Sequence, residues 1–155
     1  MIDLSDIFDR RAIAAGLRCS GPKQALRALC DLASAAYGVN ARAASEAVQA
    51  RTRLRSPGIG DGVALPDAEL AHLTRVCGVF AQLTTPIDFE AQDGAPADLV
   101  ALIFTHDLNG SAHLKTMARL ARGFRDERLR AQLRACASVE GLYRALTQDA
   151  TSNAA

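Results

Sequence analysis

The apolar run Leu99–Phe104 constrains the fold more than any other segment of this chain. A strand with one face in water alternates apolar and polar residues, whereas a run without alternation is typical of a strand covered on both faces. We therefore predict that Asp98–Thr105 is a central strand in a sheet that has helices packed on either side.

Helical spacing of apolar residues precedes and follows this strand. Proline is tolerated in the first turn of a helix, glycine commonly ends one, and asparagine, aspartate and serine are good N-caps. The predicted helices are a short one over Asp3–Asp9, one from Pro22 to Gly38, one capped by Asn40 that reaches about Thr52, one from Ser111 to about Arg125, and two capped by Asp126 and Ser138.

The remaining predicted strands are short. They are an extended piece over Ile13–Cys19 and the strands Val63–Leu65, Val76–Leu83 and Ile87–Glu90, with turns at Thr85-Pro86 and Gln92–Gly94. Along the chain, predicted helices come first, strands follow, and helices return. This order indicates a single α/β domain with a mixed β-sheet flanked by helices on both faces. We predict that the domain covers residues 1–147 and that residues 148–155 form a disordered tail.

Composition excludes several classes of function. The formal net charge of +1 produces only a weak overall electrostatic field, which argues against nucleic acid as a partner. No apolar stretch approaches the roughly 20 residues that span a bilayer, and no basic leader with a long apolar core is visible, so we expect a cytoplasmic protein without membrane insertion. The 4 cysteines are scattered without a metal-binding spacing, and we predict neither a metal nor a cofactor.

The segment Ser56–Asp67 combines a glycine-punctuated turn with a short apolar strand, a proline and an ionisable side chain. Gly58, Gly60 and Gly62 alternate, and glycine allows a backbone to approach a ligand closely. Taken alone, such a pattern is more often a simple turn, and it matches neither a Walker loop nor a dinucleotide-binding fingerprint.

The same segment resembles the active-site loop of enzyme IIA domains of the fructose/mannitol type, and most of all the nitrogen-related branch of the bacterial phosphotransferase system. The resemblance extends over nearly the whole chain. It rests on Ile2–Phe8, Lys23–Leu26, Arg51–Leu54, Gly58–Pro66, Thr85–Phe89, Asp93–Val100 and His113–Lys115.

This resemblance implies a phosphocarrier. The residue after Pro66 would be the phosphorylation site, with Arg51 and His113 beside it and a loop of Ser56, Gly58, Gly60, Gly62 and Pro66 for phosphate or a partner. The donor would be a small histidine-containing phosphocarrier protein. The regulated partners would be proteins such as sensor kinases or potassium transport proteins.

The chain departs from the family at this site, because Asp67 stands where the family has the histidine that carries the phosphoryl group. A carboxylate cannot replace imidazole in a reversible relay between histidines, so we expect the chain to be unable to accept phosphate from its usual donor. Two interpretations stay open: a degenerate member that retains only its docking surface, or a substitution that places about −1 of charge where phosphohistidine carries roughly −1.5 to −2.

Two other functions are compatible with the residues. One is a non-catalytic binding protein that has left the relay, in which a partner recognises the shape and charge around Asp67. The other is a sugar-specific enzyme IIA component of the same family.

Overall fold

The computed structural model describes the backbone of residues 3–154 and the side chains of residues 3–148. Its helices are α1 (Leu4–Ile7), α2 (Pro22–Tyr37), α3 (Ala41–Leu54), α4 (Ser111–Phe124), α5 (Glu127–Ala135) and α6 (Val139–Ala154). Its strands are β1 (Phe8–Leu17), β2 (Gly58–Gly60), β3 (Val63–Ala64), β4 (Asp67–Glu69), β5 (Cys77–Ile87) and β6 (Ala97–Thr105).

The strands form one mixed sheet in the order β1-β5-β6-β3-β2, and β4 pairs with β6 beyond β3. Strand β6 runs antiparallel to β5 and parallel to both β3 and β4. Strands β1 and β5 are parallel. The predicted central strand therefore has neighbours on both sides, which confirms the interpretation of the apolar run.

Each face of β6 contributes to a different hydrophobic cluster. Val100, Leu102 and Phe104 pack with residues of α2 and α3 on one face. Leu99, Ala101 and Ile103 pack with residues of α1, α4, α5 and α6 on the other. Successive side chains of a strand point to opposite faces, so covering both faces requires apolar residues at every position.

The predicted signals at helix ends are confirmed. Pro22 occupies the first turn of α2, and Gly38 ends it with a φ of 72°, a left-handed conformation that glycine adopts without steric cost. The Asn40 side chain accepts a 2.9 Å hydrogen bond from the amide of Ala43 at the start of α3. Asp126 caps α5 in the same way, through the amide of Arg128.

Two predictions about the strands were wrong. Thr85-Pro86 is not a turn but lies inside β5, where the pairing with β6 shifts register between Gln82 and Ile87. A bulge of this kind leaves backbone amides unpaired and so tolerates proline. The predicted strand Ile87–Glu90 is also absent, because Ile87 ends β5 and the next three residues have no regular structure.

At the N-terminus the predicted helix Asp3–Asp9 is confined to Leu4–Ile7, and the extended piece begins earlier than expected, at Phe8. The predicted tail over 148–155 overlaps the last turns of α6. The side chains of residues 149–155 lie outside the described part of the structure, so the domain boundary stays a prediction. Within the described residues no helix has the length and apolar character needed to cross a membrane.

Candidate functional site

Asp67 is the first residue of β4 and lies at the C-terminal end of β6. The carbonyl of Pro66 accepts a 3.0 Å hydrogen bond from the amide of Ile103, and Asp67 pairs with Ile103 in the parallel ladder. This pairing holds the Asp67 side chain at the edge of the sheet where α3 ends and α4 begins. The sequence did not reveal that these residues form a strand, since only three residues take part.

Arg51, in the last turn of α3, donates from Nε to Oδ1 of Asp67 over 3.0 Å. A second arginine, Arg55, approaches the other oxygen, with Nη1 3.9 Å from Oδ2. The sequence analysis missed Arg55. The available signal was the group of arginines at the end of α3, where Arg55 directly follows the helix that carries Arg51.

His113 lies in the first turn of α4 and is 2% exposed. Its Nε2 is 2.9 Å from Oδ2 of Asp67. An ionised carboxylate can only accept, so Nε2 carries the proton of this hydrogen bond. Its other ring nitrogen, Nδ1, has no hydrogen-bond partner among the described residues. The structure thus brings together the three residues Asp67, Arg51 and His113, as the resemblance implied.

The Asp67 side chain is only 3% exposed, yet its surroundings favour the ionised carboxylate at neutral pH. Burial by itself would raise the pKa of this carboxyl, but hydrogen bonds from His113 and Arg51, together with the charge of Arg51, hold the pKa below its usual value. The first turn of α4 also favours a negative charge, because amides at a helix N-terminus are partially positive.

A small cleft of about 10 Å³ opens beside the carboxylate, which is room for about one water molecule. Ser56 and Pro66, both predicted as site residues, line this cleft with Arg51 and Asp67. The Ser56 hydroxyl is directed to the carbonyl oxygens of Phe89 and Glu90, at 2.9 Å and 2.5 Å.

The three glycines of the predicted loop do not line this cleft. A side chain at Gly58 would collide with Ala91, 2.8 Å from the position of its Cβ. Gly60 and Gly62 have φ angles of 94° and 77° in the turn between β2 and β3, next to Asp93, Asp98 and Arg134. This turn lies near the start of β6, whereas Asp67 lies at its end. A binding role for the glycines stays a prediction.

In residues 3–148 no cluster of three or more histidine, cysteine, aspartate or glutamate side chains is arranged to hold a metal ion. The 4 cysteines are free, with Cys30 and Cys77 buried.

Residues 6–149 match the family model described as phosphoenolpyruvate-dependent sugar phosphotransferase system, EIIA 2. A nitrogen regulatory protein of Bradyrhizobium diazoefficiens is 38% identical over 143 residues, which are 92% of this chain and 94% of that protein. The crystal structure of the nitrogen regulatory protein IIA-Ntr from Neisseria meningitidis superimposes with a TM-score of 0.87 at 25% identity, covering 93% of this chain and 99% of that one.

The enzyme IIA for mannitol from Escherichia coli, solved in complex with phosphorylated enzyme IIB, has the same fold. Its TM-score is 0.74 at 19% identity, and the match covers 90% of this chain and 98% of that chain.

Proposed function

Since the chain belongs to the EIIA type-2 family of the phosphoenolpyruvate-dependent phosphotransferase system, and within it to the nitrogen-related branch, we propose that it is a regulatory protein that acts on protein partners without carrying a phosphoryl group. Position 67 is the phosphorylation site that the resemblance implies, and in this chain it holds a carboxylate that does not enter the relay.

The buried contact of Asp67 with both Arg51 and His113 carries this proposal. In a phosphocarrier, the nucleophile is a neutral imidazole whose nitrogen lone pair attacks phosphorus. The Asp67 carboxylate has a lowered pKa, so it is a weak base, and each of its oxygens already accepts a hydrogen bond. Arg51 and His113, which are suited to stabilising a transferred phosphoryl group, are therefore already hydrogen-bonded to the Asp67 side chain.

This arrangement makes the charge at the site constant. A phosphorylated histidine would carry roughly −1.5 to −2, and Asp67 carries about −1. Arg51 pairs with this charge whatever the state of the relay. The chain would therefore present to its partners a surface that partly resembles the phosphorylated form and does not respond to the donor.

The proposed partners follow from the family. They are a histidine-containing phosphocarrier protein that docks without productive transfer, and regulatory targets such as sensor kinases or potassium transport proteins. We propose that the protein acts on these partners in the cytoplasm.

Phosphate transfer from labelled phosphoenolpyruvate, through enzyme I and the phosphocarrier protein, tests the proposal. We expect no label on the wild-type chain or on the Asp67→Asn control, and label on Asp67→His, because that variant restores an imidazole between Arg51 and His113. Label on the wild-type chain would refute the proposal. If Asp67→His also stays unlabelled, the scaffold has lost the relay altogether and acts only as a binding protein.

A further inference from the structure

A groove of about 440 Å³ lies on the protein surface between α2 and α3. Sites for small molecules usually measure about 300–1,000 Å³, so the groove is large enough to hold one. Its walls are formed by residues outside the buried stripes of the two helices. None of these residues lines the cleft beside Asp67, so the groove is a separate feature of the structure.

Helix α2 contributes Arg27 and Asp31 to the groove. The two residues are one helical turn apart, so they lie on one face of α2 with a rise of about 6 Å between them. Both are exposed, and neither side chain forms an ion pair or a hydrogen bond within the part of the chain that the structure describes. This wall of the groove therefore presents a positive and a negative group that are available to a ligand.

Helix α3 forms the other wall, where the polar side chains contact each other. Nε of Arg42 is 3.5 Å from Oε1 of Glu46, and Nε2 of Gln49 donates a 3.0 Å hydrogen bond to Oγ of Ser45. Ala41 and the methylene stems of the long side chains give this wall apolar surface. The α3 wall therefore offers mainly apolar contact, whereas the α2 wall offers two charges.

The charges that line the groove are balanced, because the lining includes two arginines and two carboxylates. A purely anionic ligand would be repelled by the carboxylates, and a purely cationic one by the arginines. Lys23, which precedes Arg27 by one turn of α2, does not line the groove. The lining therefore favours a ligand that carries both charges close together and also has an apolar part.

We propose that this groove binds a small zwitterion of the α-amino acid type with an apolar side chain. The ligand carboxylate accepts hydrogen bonds from the guanidinium of Arg27, and the ligand ammonium donates to the carboxylate of Asp31. The apolar side chain of the ligand lies against Ala41 and the stems on the α3 wall. This site goes beyond the proposed function and does not depend on it. Its ligand would contact α3, the helix that also carries Arg51.

Three matched small molecules test this site: L-norleucine, hexanoate, which lacks the ammonium, and pentylamine, which lacks the carboxylate. Each is titrated into the full chain and followed by two-dimensional ¹H–¹⁵N NMR at low salt. We expect L-norleucine to shift the amide signals of residues 27–31 and 41–49 in a saturable way, with a dissociation constant of about 1–10 mM. Hexanoate and pentylamine should each bind about tenfold more weakly, because each loses one charged contact. Higher salt should weaken the binding of L-norleucine, since exposed charges are screened.

Two variants assign the contacts. Arg27→Gln and Asp31→Asn should each weaken the binding of L-norleucine by about tenfold. Arg27→Gln should leave the weak binding of pentylamine unchanged, and Asp31→Asn that of hexanoate, because each of these probes lacks the group that the substituted residue contacts. Lys23→Gln is the matched control, since it removes an exposed positive charge from the same helix outside the groove, and it should keep the affinity within about twofold.

Shifts that do not saturate, shifts located elsewhere, equal affinity for the three molecules, or the same loss in Lys23→Gln as in Arg27→Gln would overturn the inference. The phosphate-labelling experiment involves none of the residues that line the groove. Failure of this inference is therefore distinguishable from failure of the proposed function.

Discussion

Asp67 carries a full negative charge in an almost fully buried position, and two side chains from different helices compensate it. Removing a carboxylate from water is unfavourable, and a buried ion pair recovers this loss only when its hydrogen bonds are well formed. The 3.0 Å contact with Arg51 and the 2.9 Å contact with His113 meet that condition. The same contacts hold the pKa of the Asp67 carboxyl below its usual value.

At neutral pH, Asp67→Asn should lower the free energy of unfolding by about 1–3 kcal/mol, because it leaves Arg51 without its partner carboxylate. This estimate is below that for a fully buried pair, since the Arg51 side chain is 29% exposed. Chemical denaturation measures the change. The exposed pair of Arg42 and Glu46 provides the control, and Glu46→Gln should change stability by less than about 0.5 kcal/mol.

The difference between wild type and Asp67→Asn should depend on pH. The pKa of Asp67 is lower in the folded than in the unfolded chain, so its contribution is fully present above the unfolded value of about 3.9 and is lost as the pH falls through the folded value. The free energies of unfolding of wild type and Asp67→Asn, measured between pH 7 and pH 2, should therefore converge in acid. If the two free energies differ as much at the lowest pH as at pH 7, the lowered pKa of Asp67 in the folded chain is contradicted.

At the scale of elements, the turn between β2 and β3 sets the position of β4. Gly60, Asp61 and Gly62 all have positive φ angles, of 94°, 58° and 77°. The carbonyl of Gly62 accepts hydrogen bonds from the amides of Asp98 and Leu99, which attaches β3 to β6. Because β4 continues along β6 from there, this turn helps to hold Asp67 in register with Ile103.

Gly62→Ala should destabilise the protein more than Gly94→Ala. Both glycines have left-handed backbone conformations, at 77° and 75°, where a side chain costs about 1 kcal/mol. A Cβ at position 62 would also collide with the guanidinium of Arg134, whereas nothing lies within 4 Å at position 94. Denaturation midpoints measure the difference, which we expect to exceed about 1 kcal/mol. Equal losses would show that Arg134 moves aside freely.

At the scale of the whole molecule, the site joins two layers that are otherwise separated by the sheet. Helix α3 belongs to the cluster on one face, through Ala44 and Val48, and α4 to the cluster on the other, through Leu120 and Phe124. Asp67 lies at the sheet edge where both helices reach it. A single carboxylate can therefore contact Arg51 and His113, which are 62 residues apart in sequence (113 minus 51).

Leu142→Ala should test whether the core and the site are energetically separate. Leu142 is fully buried between α6 and the sheet, so the variant should lose about 2–5 kcal/mol of stability. Among molecules that remain folded, the amide NMR signals of Asp67 and His113 should be unchanged, because the site is formed by α3, β4 and α4. Leu54→Ala is the exposed counterpart and should alter stability by less than about 0.5 kcal/mol. Shifted signals of Asp67 or His113 in folded Leu142→Ala would show that the two regions are coupled.

The amino-acid sequence by itself determined the parts of this protein that depend on local pattern. The unbroken apolar run indicated β6 and its two covered faces, and Gly38 and Asn40 marked where α2 ends and α3 begins. These features can be read locally because burial on both faces and the capping of helix ends depend on a residue and its near neighbours. The family resemblance at Arg51–Leu54, Gly58–Pro66 and His113–Lys115, and not their spacing, predicted that Asp67, Arg51 and His113 lie together, and in the structure they are in contact.

Only the tertiary structure decided how those residues are used. The bulge at Pro86 and the three-residue strand β4 arise from pairing with β6, which no local pattern reveals. The glycines of the loop lie next to Ala91, Asp93 and Arg134, away from the cleft beside Asp67. The charge state of Asp67, the small cleft beside it and the contact of Arg55 depend on distances between segments far apart in the chain, because electrostatic energies are set by separation in space and by burial.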